Sequence, residues 1–407
     1  MADAPKRPLT VEDALARVLD GVMPLTETRQ LELLAAHGSV LAATLIARHT
    51  QPPFNASAMD GYAVRAADVA ALPATLRVIG EAAAGRGFVG TVGAGEAVRI
   101  FTGAPMPGGT DAVVIQENTR SDGKSVTVIS GQPDAEHVRP LGGDFRRDEA
   151  LIATGTRLSA RHLTLAAAAG HAHLVVRRPP IVAILATGDE LVPAGVEPAR
   201  DQIVCSNPIG VAAMVGAAGG EPRLLGIARD TRESLEAKIA AARDADILVT
   251  LGGASVGDHD LVGPVLVDRG MDLAFWKIAM RPGKPMLFGR LGRQRVLGLP
   301  GNPVSSLITA RLFLVPLVRA LLGLEANPDK IQMARCAVPL PANGPRAHYM
   351  RATWVRHGDG SASVVPLPNQ DSSLLTPLAS AEVLIVRPAG AAPIAAGGAV
   401  MMMPIDF

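Results

Sequence analysis

The chain has 407 residues, 48% hydrophobic and 19% charged, and its 39 Lys plus Arg against 38 Asp plus Glu leave a net charge of +1. That composition excludes wholesale disorder, and the charge balance argues against a dedicated nucleic-acid binder, which carries a strongly basic domain. Aromatic residues are only 3% and the cysteines are two, Cys205 and Cys336, which argues against base-stacking platforms, a disulfide scaffold or a Cys-rich metal site.

At roughly 150 residues per domain the length allows two to four domains. Residues 9–47 read as two helices. Thr10 caps the first, Glu12 and Asp13 sit in its first turn, and Ala14, Val18 and Val22 follow at helical spacing. The second spans about 28–36 and stops at Gly38. From about 56 to 141, β-prone runs at 76–79, 97–101, 112–116 and 125–129 are separated by Gly and Pro clusters, which predicts a small β-rich domain. Residues 155–170 return to helix.

Residues 181–325 alternate strand and helix: strands at 181–186, 224–227, 247–251 and 296–299, and helices at 209–218, 232–242 (with Asp230 as a cap) and 305–322. This predicts a parallel-rich sheet covered on both faces. Residues 307–324 are apolar enough to suggest a membrane span, but Arg311, Pro316 and Arg319 interrupt them, so a core helix is expected. The tail from about 330 reads as strands at 337–340, 352–355, 363–365 and 383–387. The expected class is multidomain α/β. No secretory or membrane segment is read, so the expected location is cytoplasmic, with no membrane or nucleic-acid partner.

In open parallel sheets, ligands gather beyond the carboxyl ends of the strands. Three predicted strand ends carry unusual residues. T-G-D-E-L at 187–191 places two carboxylates at a strand exit, suited to a hard cation or acid/base work, or to a helix cap with surface charge. L-G-G-A-S-V-G-D-H-D at 251–260 offers Gly252, Gly253 and Ser255 for an anion, or a generic Gly-rich turn, and fits neither the Walker nor the dinucleotide pattern. G-L-P-G-N-P-V-S-S at 298–306 makes a rigid loop through Pro300 and Pro303. Between the last two, F-W-K-I-A-M-R-P-G-K-P at 275–285 supplies Lys277, Arg281 and Lys284, a cationic loop suited to a phosphorylated or other anionic ligand. Asp60 before Gly61 and Thr102 before Gly103 read equally as turn residues. His171 and His173 read as packing residues, no zinc spacing occurs, and both cysteines read as small buried hydrophobes.

Taken together, M-D-G-Y-A (59–63), T-G-A-x-x-P (102–107), G-G-D (142–144), T-G-D-E-L, G-G-x-S-V-G (252–257) with Asp260, R-P-G-K-P (281–285) and L-P-G-N-P-V-S (299–305) resemble the molybdopterin molybdenumtransferases (MoeA) and the equivalent gephyrin E domain. The resemblance spans nearly the whole chain. It implies four domains: a discontinuous helical connecting region of 1–50 and 145–178, whose first helix is free to pack on the α/β domain, an inserted β-rich domain of 51–144, a three-layer α/β domain of 179–327 and a C-terminal β-barrel-like domain of 328–407. It also implies a homodimer whose active cleft lies between the α/β domain of one subunit and the inserted domain of the other. The implied reaction is magnesium-assisted insertion of molybdate into adenylylated molybdopterin with release of AMP. By motif it implies catalytic Asp60, Thr102, Asp144, Glu190, Lys277 and Arg281, and substrate-binding Gly252, Gly253, Ser255, Lys284, Pro300 and Pro303. It further implies oxyanion-binding Arg351 and Ser372, and magnesium ligands Glu190, Asp230 and Asp260. Molybdopterin adenylyltransferase, apo-molybdoenzymes and their chaperones are candidate further partners. Two positions depart from the family pattern. Arg281 stands where lysine is common, and Asp371-Ser372-Ser373 stands where the family often reads G-S, placing a carboxylate beside the expected oxyanion. The competing readings are the preceding adenylyltransferase step and a non-catalytic gephyrin-like scaffold.

Overall fold

The structure is a computed structural model that describes residues 8–253, 261–327, 331–405 and 407. The chain divides into two compact units, one of residues 29–176 and one of residues up to 28 together with 177 onward.

In the 29–176 unit a six-stranded sheet runs in the order Ala112–Ile115, Gly61–Val64, Glu96–Ile100, Ala74–Ala82, Ser125–Val128, Thr119–Ser121. The Ala74–Ala82 and Glu96–Ile100 strands pair in parallel and the other neighbours antiparallel. Alternating residues of these strands bury Val64, Leu76, Ala97, Val114, Val126 and Val128 in one cluster. Gly61–Val64 is buried along its whole length. Only glycine fits at its first position, because a Cβ on Gly61 would lie 2.0 Å from the Val114 carbonyl oxygen. A second cluster gathers Leu41, Phe145, Leu158, Leu163, Leu174 and Val176.

The connecting region is less helical than its sequence predicts. Val11–Leu19 and Ala160–Ala168 are helices. The predicted helix at 28–36 is instead the Thr28–Glu32 strand followed by a single 3-10 turn, Leu34–Ala36. That strand pairs with His173–Arg177, so a partner about 140 positions away overrides the local helix propensity of Arg, Gln, Leu and Glu.

In the other unit a six-stranded sheet runs Glu221–Ala228, Ile181–Thr187, Ile247–Leu251, Gln294–Leu299, Leu287–Leu291, Asp272–Trp276. The first four strands pair in parallel, and Leu287–Leu291 runs antiparallel to both of its neighbours, Gln294–Leu299 and Asp272–Trp276. The three central strands are buried along essentially their whole length, as a sheet covered on both faces requires. The first helix is tied to this sheet. Arg295 Nη1 donates to the Val18 carbonyl at 2.8 Å and Arg17 Nη1 to the Ala274 carbonyl at 3.0 Å. Thr10 caps that helix by accepting from the Asp13 N–H at 3.1 Å. The long apolar helix is Pro303–Leu321. It meets the length and composition of a membrane span, yet 78% of its most apolar window is buried inside the protein, as a core helix requires. A π-helical stretch, Ala310–Leu314, precedes Pro316, whose missing N–H breaks the regular ladder there.

The C-terminal sheet runs Met280–Arg281, Ala347–Arg356, Val383–Arg387, Ala399–Pro404, Gln332–Arg335, with Ala362–Pro366 also paired to Ala347–Arg356. The strand expected at 337–340 is displaced to Gln332–Arg335. Pro339 cannot donate to a ladder, and only isolated bridges at Cys336 and Leu340 remain.

Candidate functional site

Four parallel strands end along one edge of the α/β sheet, and a cavity of about 670 Å³ opens there. Its lining includes Thr187 and Glu190 after one strand, Asp230 after another, Gly252 and Gly253 after a third, and Pro300 to Pro303 after the fourth. The N-termini of the Asn207–Ala218 and Pro303–Leu321 helices also face it through Ser206, Asn207, Asn302 and Pro303. The positive dipole ends of both helices face the cavity and favour an anion there; in the second, Pro303 has no N–H and the Val304 N–H is taken by the Ser372 carbonyl at 3.1 Å.

The Gly252-Gly253 turn has φ of +93° and +60°. A Cβ on Gly252 would lie 2.8 Å from the Thr187 carbonyl oxygen, and one on Gly253 2.4 Å from Val262 Cγ2. Both glycines are therefore required to seat the turn against Thr187 and Val262. Ser255 and Asp260 lie outside the described residues. The P-G-N-P loop is fixed by Asn207, whose Nδ2 donates to the Gly301 carbonyl at 2.7 Å, and by Ser306, whose hydroxyl donates to the Pro300 carbonyl. Pro303 starts the helix in the first turn, where its missing N–H costs nothing.

The carboxylates gather as the strand-exit argument expects, with one correction. Asp230 does not cap the Arg232–Ala241 helix. Thr231 does, accepting from the Ser234 N–H at 3.3 Å, which leaves the Asp230 carboxylate to the cavity. Partial burial, together with the negative charges of Asp189 and Glu190, pushes the Asp230 carboxyl above its ordinary range. The Asp230 N–H donates to Asp189 Oδ1 at 3.3 Å and Arg229 Nη1 to the Asp189 carbonyl at 2.9 Å, which ties the two strand exits together. A carboxyl crowded by like charges is a site that a cation relieves, and magnesium takes a few carboxylates plus substrate oxygens. Among the described residues no group of three or more His, Cys, Asp or Glu is arranged as a complete metal cage.

The segment between the Ala362–Pro366 and Val383–Arg387 strands contributes Ser373 and Leu375 to the same cavity. Arg351 is 1% exposed and its guanidinium is committed to the loop that carries them. Nη1 donates to the Leu374 carbonyl at 3.2 Å and Nη2 to the Asp371 carbonyl at 3.0 Å. Ser372 meets the P-G-N-P loop: Asn302 Nδ2 donates to its Oγ at 2.9 Å, and the Val304 N–H donates to its carbonyl at 3.1 Å. Asp371 Oδ1 accepts from the Ser373 N–H and hydroxyl, both at 2.8 Å. These bonds, with the Arg351 charge behind them, hold its carboxyl below the ordinary range.

Lys277, Arg281 and Lys284 are exposed on the segment that delivers Pro285 to the cavity wall. The Ile278 N–H donates to the Lys284 carbonyl at 3.1 Å and folds the segment back on itself. Arg281 is the cross-strand partner of His348, which in turn faces Arg387 across the next pair. Burial and the charges of Arg281, Arg346, Arg351 and Arg387 push the His348 ring down to about 4, so it is neutral at pH 7.

The 29–176 unit holds a separate polar cluster. Thr102 donates its N–H and its hydroxyl to Asp60 Oδ1, each at 2.8 Å. These bonds, aided by the Arg99 charge, lower the Asp60 pKa. Arg99 donates to the Gly61 carbonyl at 3.0 Å and to Gln116 Oε1 at 2.7 Å, and its guanidinium lies 4.8 Å from the centre of the Phe101 ring. Asp60 and Thr102, 42 positions apart, are thus one site. Asp144 is exposed on another loop, where its N–H donates to the Gln51 carbonyl at 3.0 Å.

Sequence reasoning missed Asn207, Asn302 and Ser373, and it took Cys205 for a buried hydrophobe. Cys205 is half-buried on the cavity wall, with its thiol pushed up by burial and by Glu190. Cys336 is buried, as expected. His171 packs, with Nε2 2.8 Å from the Ile46 carbonyl oxygen, whereas His173 is exposed on its strand. The available signal for Asn207 was the N-P pair between a strand and a helix.

Three family descriptions match the chain in order: "MoeA N-terminal region (domain I and II)" over residues 9–170, "Probable molybdopterin binding domain" over 183–320, and "MoeA C-terminal region (domain IV)" over 333–405. The chain is 36% identical to a molybdopterin molybdenumtransferase of Nostoc sp. over 85% of this chain and 82% of that protein. It is 33% identical to one of Haemophilus influenzae, over 98% and 99% respectively. Among solved structures it resembles a molybdopterin biosynthesis MoeA protein from Pyrococcus horikoshii, with a TM-score of 0.81 and 29% identity over 98% of this chain and 99% of that one.

Proposed function

This chain belongs to the molybdopterin molybdenumtransferase (MoeA) family, and we propose that its strand-exit cavity is where molybdate and adenylylated molybdopterin are brought together for molybdenum transfer and AMP release. The observation that carries this reading is the convergence of Glu190, Asp230, Gly252, Gly253, Pro300 and Pro303 on one cavity inside the matched molybdopterin-binding region.

Both substrates are anions, so the chain's task is to gather negative charge and orient it. The two helix N-termini and the exposed Lys277, Arg281 and Lys284 attract the phosphates and the molybdate dianion. Glu190 and Asp230 would hold magnesium, with Asp260 as a third ligand from the sequence pattern. Bound there, the ion supplies neutralisation of charge on the departing phosphate. Ser372, with its hydroxyl oxygen already accepting from Asn302, has a proton left to donate to an oxyanion. Asp60, held ionised by Thr102, offers a fixed acceptor for a substrate donor. Asp144 contributes a further carboxylate. No protein nucleophile is needed: adenylylation makes AMP a leaving group, and an oxygen of water or of molybdate forms the new bond to phosphorus as the phosphoanhydride opens.

The test is incubation of the purified protein with adenylylated molybdopterin, molybdate and Mg²⁺. AMP release and molybdenum bound to the pterin are expected, both abolished by EDTA and restored by Mg²⁺. Activity indifferent to EDTA would remove magnesium from the account. We further propose a cytoplasmic homodimer, for which light scattering would give about twice the chain mass.

A further inference from the structure

Two adjacent serines in the 371–375 loop are set with opposite hydrogen-bonding polarity. Ser372 Oγ accepts from Asn302 Nδ2 at 2.9 Å and so keeps its own proton to give. The Ser373 hydroxyl and N–H both end on Asp371 Oδ1, each at 2.8 Å. An ionised carboxylate only accepts, so the single proton of the Ser373 hydroxyl is committed to Asp371. What Ser373 Oγ has left is lone pairs. The setting is firmly held: Arg351, buried behind the loop, donates to the Asp371 and Leu374 carbonyls, and the Val304 N–H holds the Ser372 carbonyl. Ser373 lines the cavity together with Pro300, Asn302 and Leu375.

We propose that Ser373 is a specificity-determining residue of the transfer reaction: held as a pure acceptor by Asp371, it receives an N–H or O–H of the organic substrate, such as a ring or amino N–H of a pterin, and turns the oxyanion away. This rests on the function proposed above. A molybdate dianion has no proton to give, and at this wall it would meet lone pairs backed by the Asp371 charge. A donor-bearing heterocycle meets an acceptor strengthened by its charged partner. The polarity of Ser373 is set within the Asp371-Ser372-Ser373 run itself, by the carboxylate two positions before it.

The test compares full-length wild type with Ser373→Ala, Asp371→Asn and Asp371→Ala, measuring KM for each substrate separately and the equilibrium Kd for molybdopterin alone. Loss of one neutral hydrogen bond predicts that Ser373→Ala raises the pterin KM and Kd about 5–10-fold while the molybdate KM stays within about twofold. Asp371→Asn, whose side-chain oxygen still accepts from Ser373 but whose charge is gone, is expected to weaken pterin binding less than Asp371→Ala does and to lower the molybdate KM. Asp371→Ala releases the serine proton and is expected to weaken pterin binding as Ser373→Ala does. An unchanged pterin Kd in Ser373→Ala, a raised molybdate KM, or an Asp371→Asn variant as impaired as Asp371→Ala overturns the inference. Absence of turnover in the wild type would instead overturn the proposed function, and the pterin Kd values would still decide the role of Ser373.

Discussion

Replacing Arg351 separates two roles that its sequence position alone leaves merged. The family resemblance assigns it to the oxyanion, whereas its guanidinium spans two loop carbonyls, Leu374 at 3.2 Å and Asp371 at 3.0 Å, from a side chain only 1% exposed. Arg351→Met keeps an unbranched stem of similar bulk and removes both bonds. Two charge-assisted bonds at about 1.5 kcal/mol each give a loss of about 3 kcal/mol. Part of this is offset because the mutation also removes a desolvated charge, the same burial that lowers the Arg351 pKa. The net expectation is about 2 kcal/mol, a fall of about 4–8 °C in the unfolding transition by scanning calorimetry. Arg351→Lys restores the charge but not the planar fork that reaches both carbonyls, so it should recover less than half of the loss. Both variants should also weaken binding of both substrates, because Ser372 and Ser373 ride on the freed loop. An Arg351→Met protein with unchanged melting and only a raised molybdate KM would refute the loop-clamp reasoning and aim the guanidinium at the anion.

Asp60→Ala and Lys277→Ala should each lower turnover at least tenfold with circular dichroism and melting close to wild type, since both side chains lie toward the surface. Gly253→Ala should destabilise by about 2–4 kcal/mol in calorimetry, because its φ of +60° is costly for alanine and its Cβ would meet Val262 Cγ2 at 2.4 Å. His348 should make stability fall with acid. Its folded-state value of about 4 lies below its ordinary 6.5, so the contribution is complete above pH 6.5 and is lost as pH falls towards 4. The gap corresponds to roughly 3 kcal/mol, trimmed by solvent screening of a half-buried ring to about 1–2 kcal/mol. Melting temperature against pH should therefore be flatter between pH 7 and 4 in His348→Gln than in wild type.

The strand-exit motifs were readable because a parallel sheet delivers all its carboxyl ends to one edge. Once 181–186, 247–251 and 296–299 read as buried strands, Glu190, Gly252 and Pro300 had to share a neighbourhood. The Thr10 cap and the core character of the Pro303–Leu321 helix were likewise local signals. Long-range pairing was not. The Thr28–Glu32 strand carries a helix-compatible sequence and is fixed by His173–Arg177. Gln332–Arg335 has no β-branched residue and is a strand because Ala399–Pro404 pairs with it. The joining of Asp60 to Thr102 was visible only through the family motifs, since either residue alone reads as a turn. The fine chemistry was least legible. That Thr231 rather than Asp230 caps a helix, or that Asp371 accepts two hydrogen bonds from Ser373, depends on partners that spacing does not reveal.

The central claim is tested most directly by a single-turnover experiment with the enzyme in excess over adenylylated molybdopterin, in molybdate and Mg²⁺ and without ATP. The account predicts AMP and molybdenum-loaded pterin appearing together in a one-to-one ratio. AMP released with no molybdenum on the pterin, or a reaction that proceeds only when ATP is supplied, would contradict it.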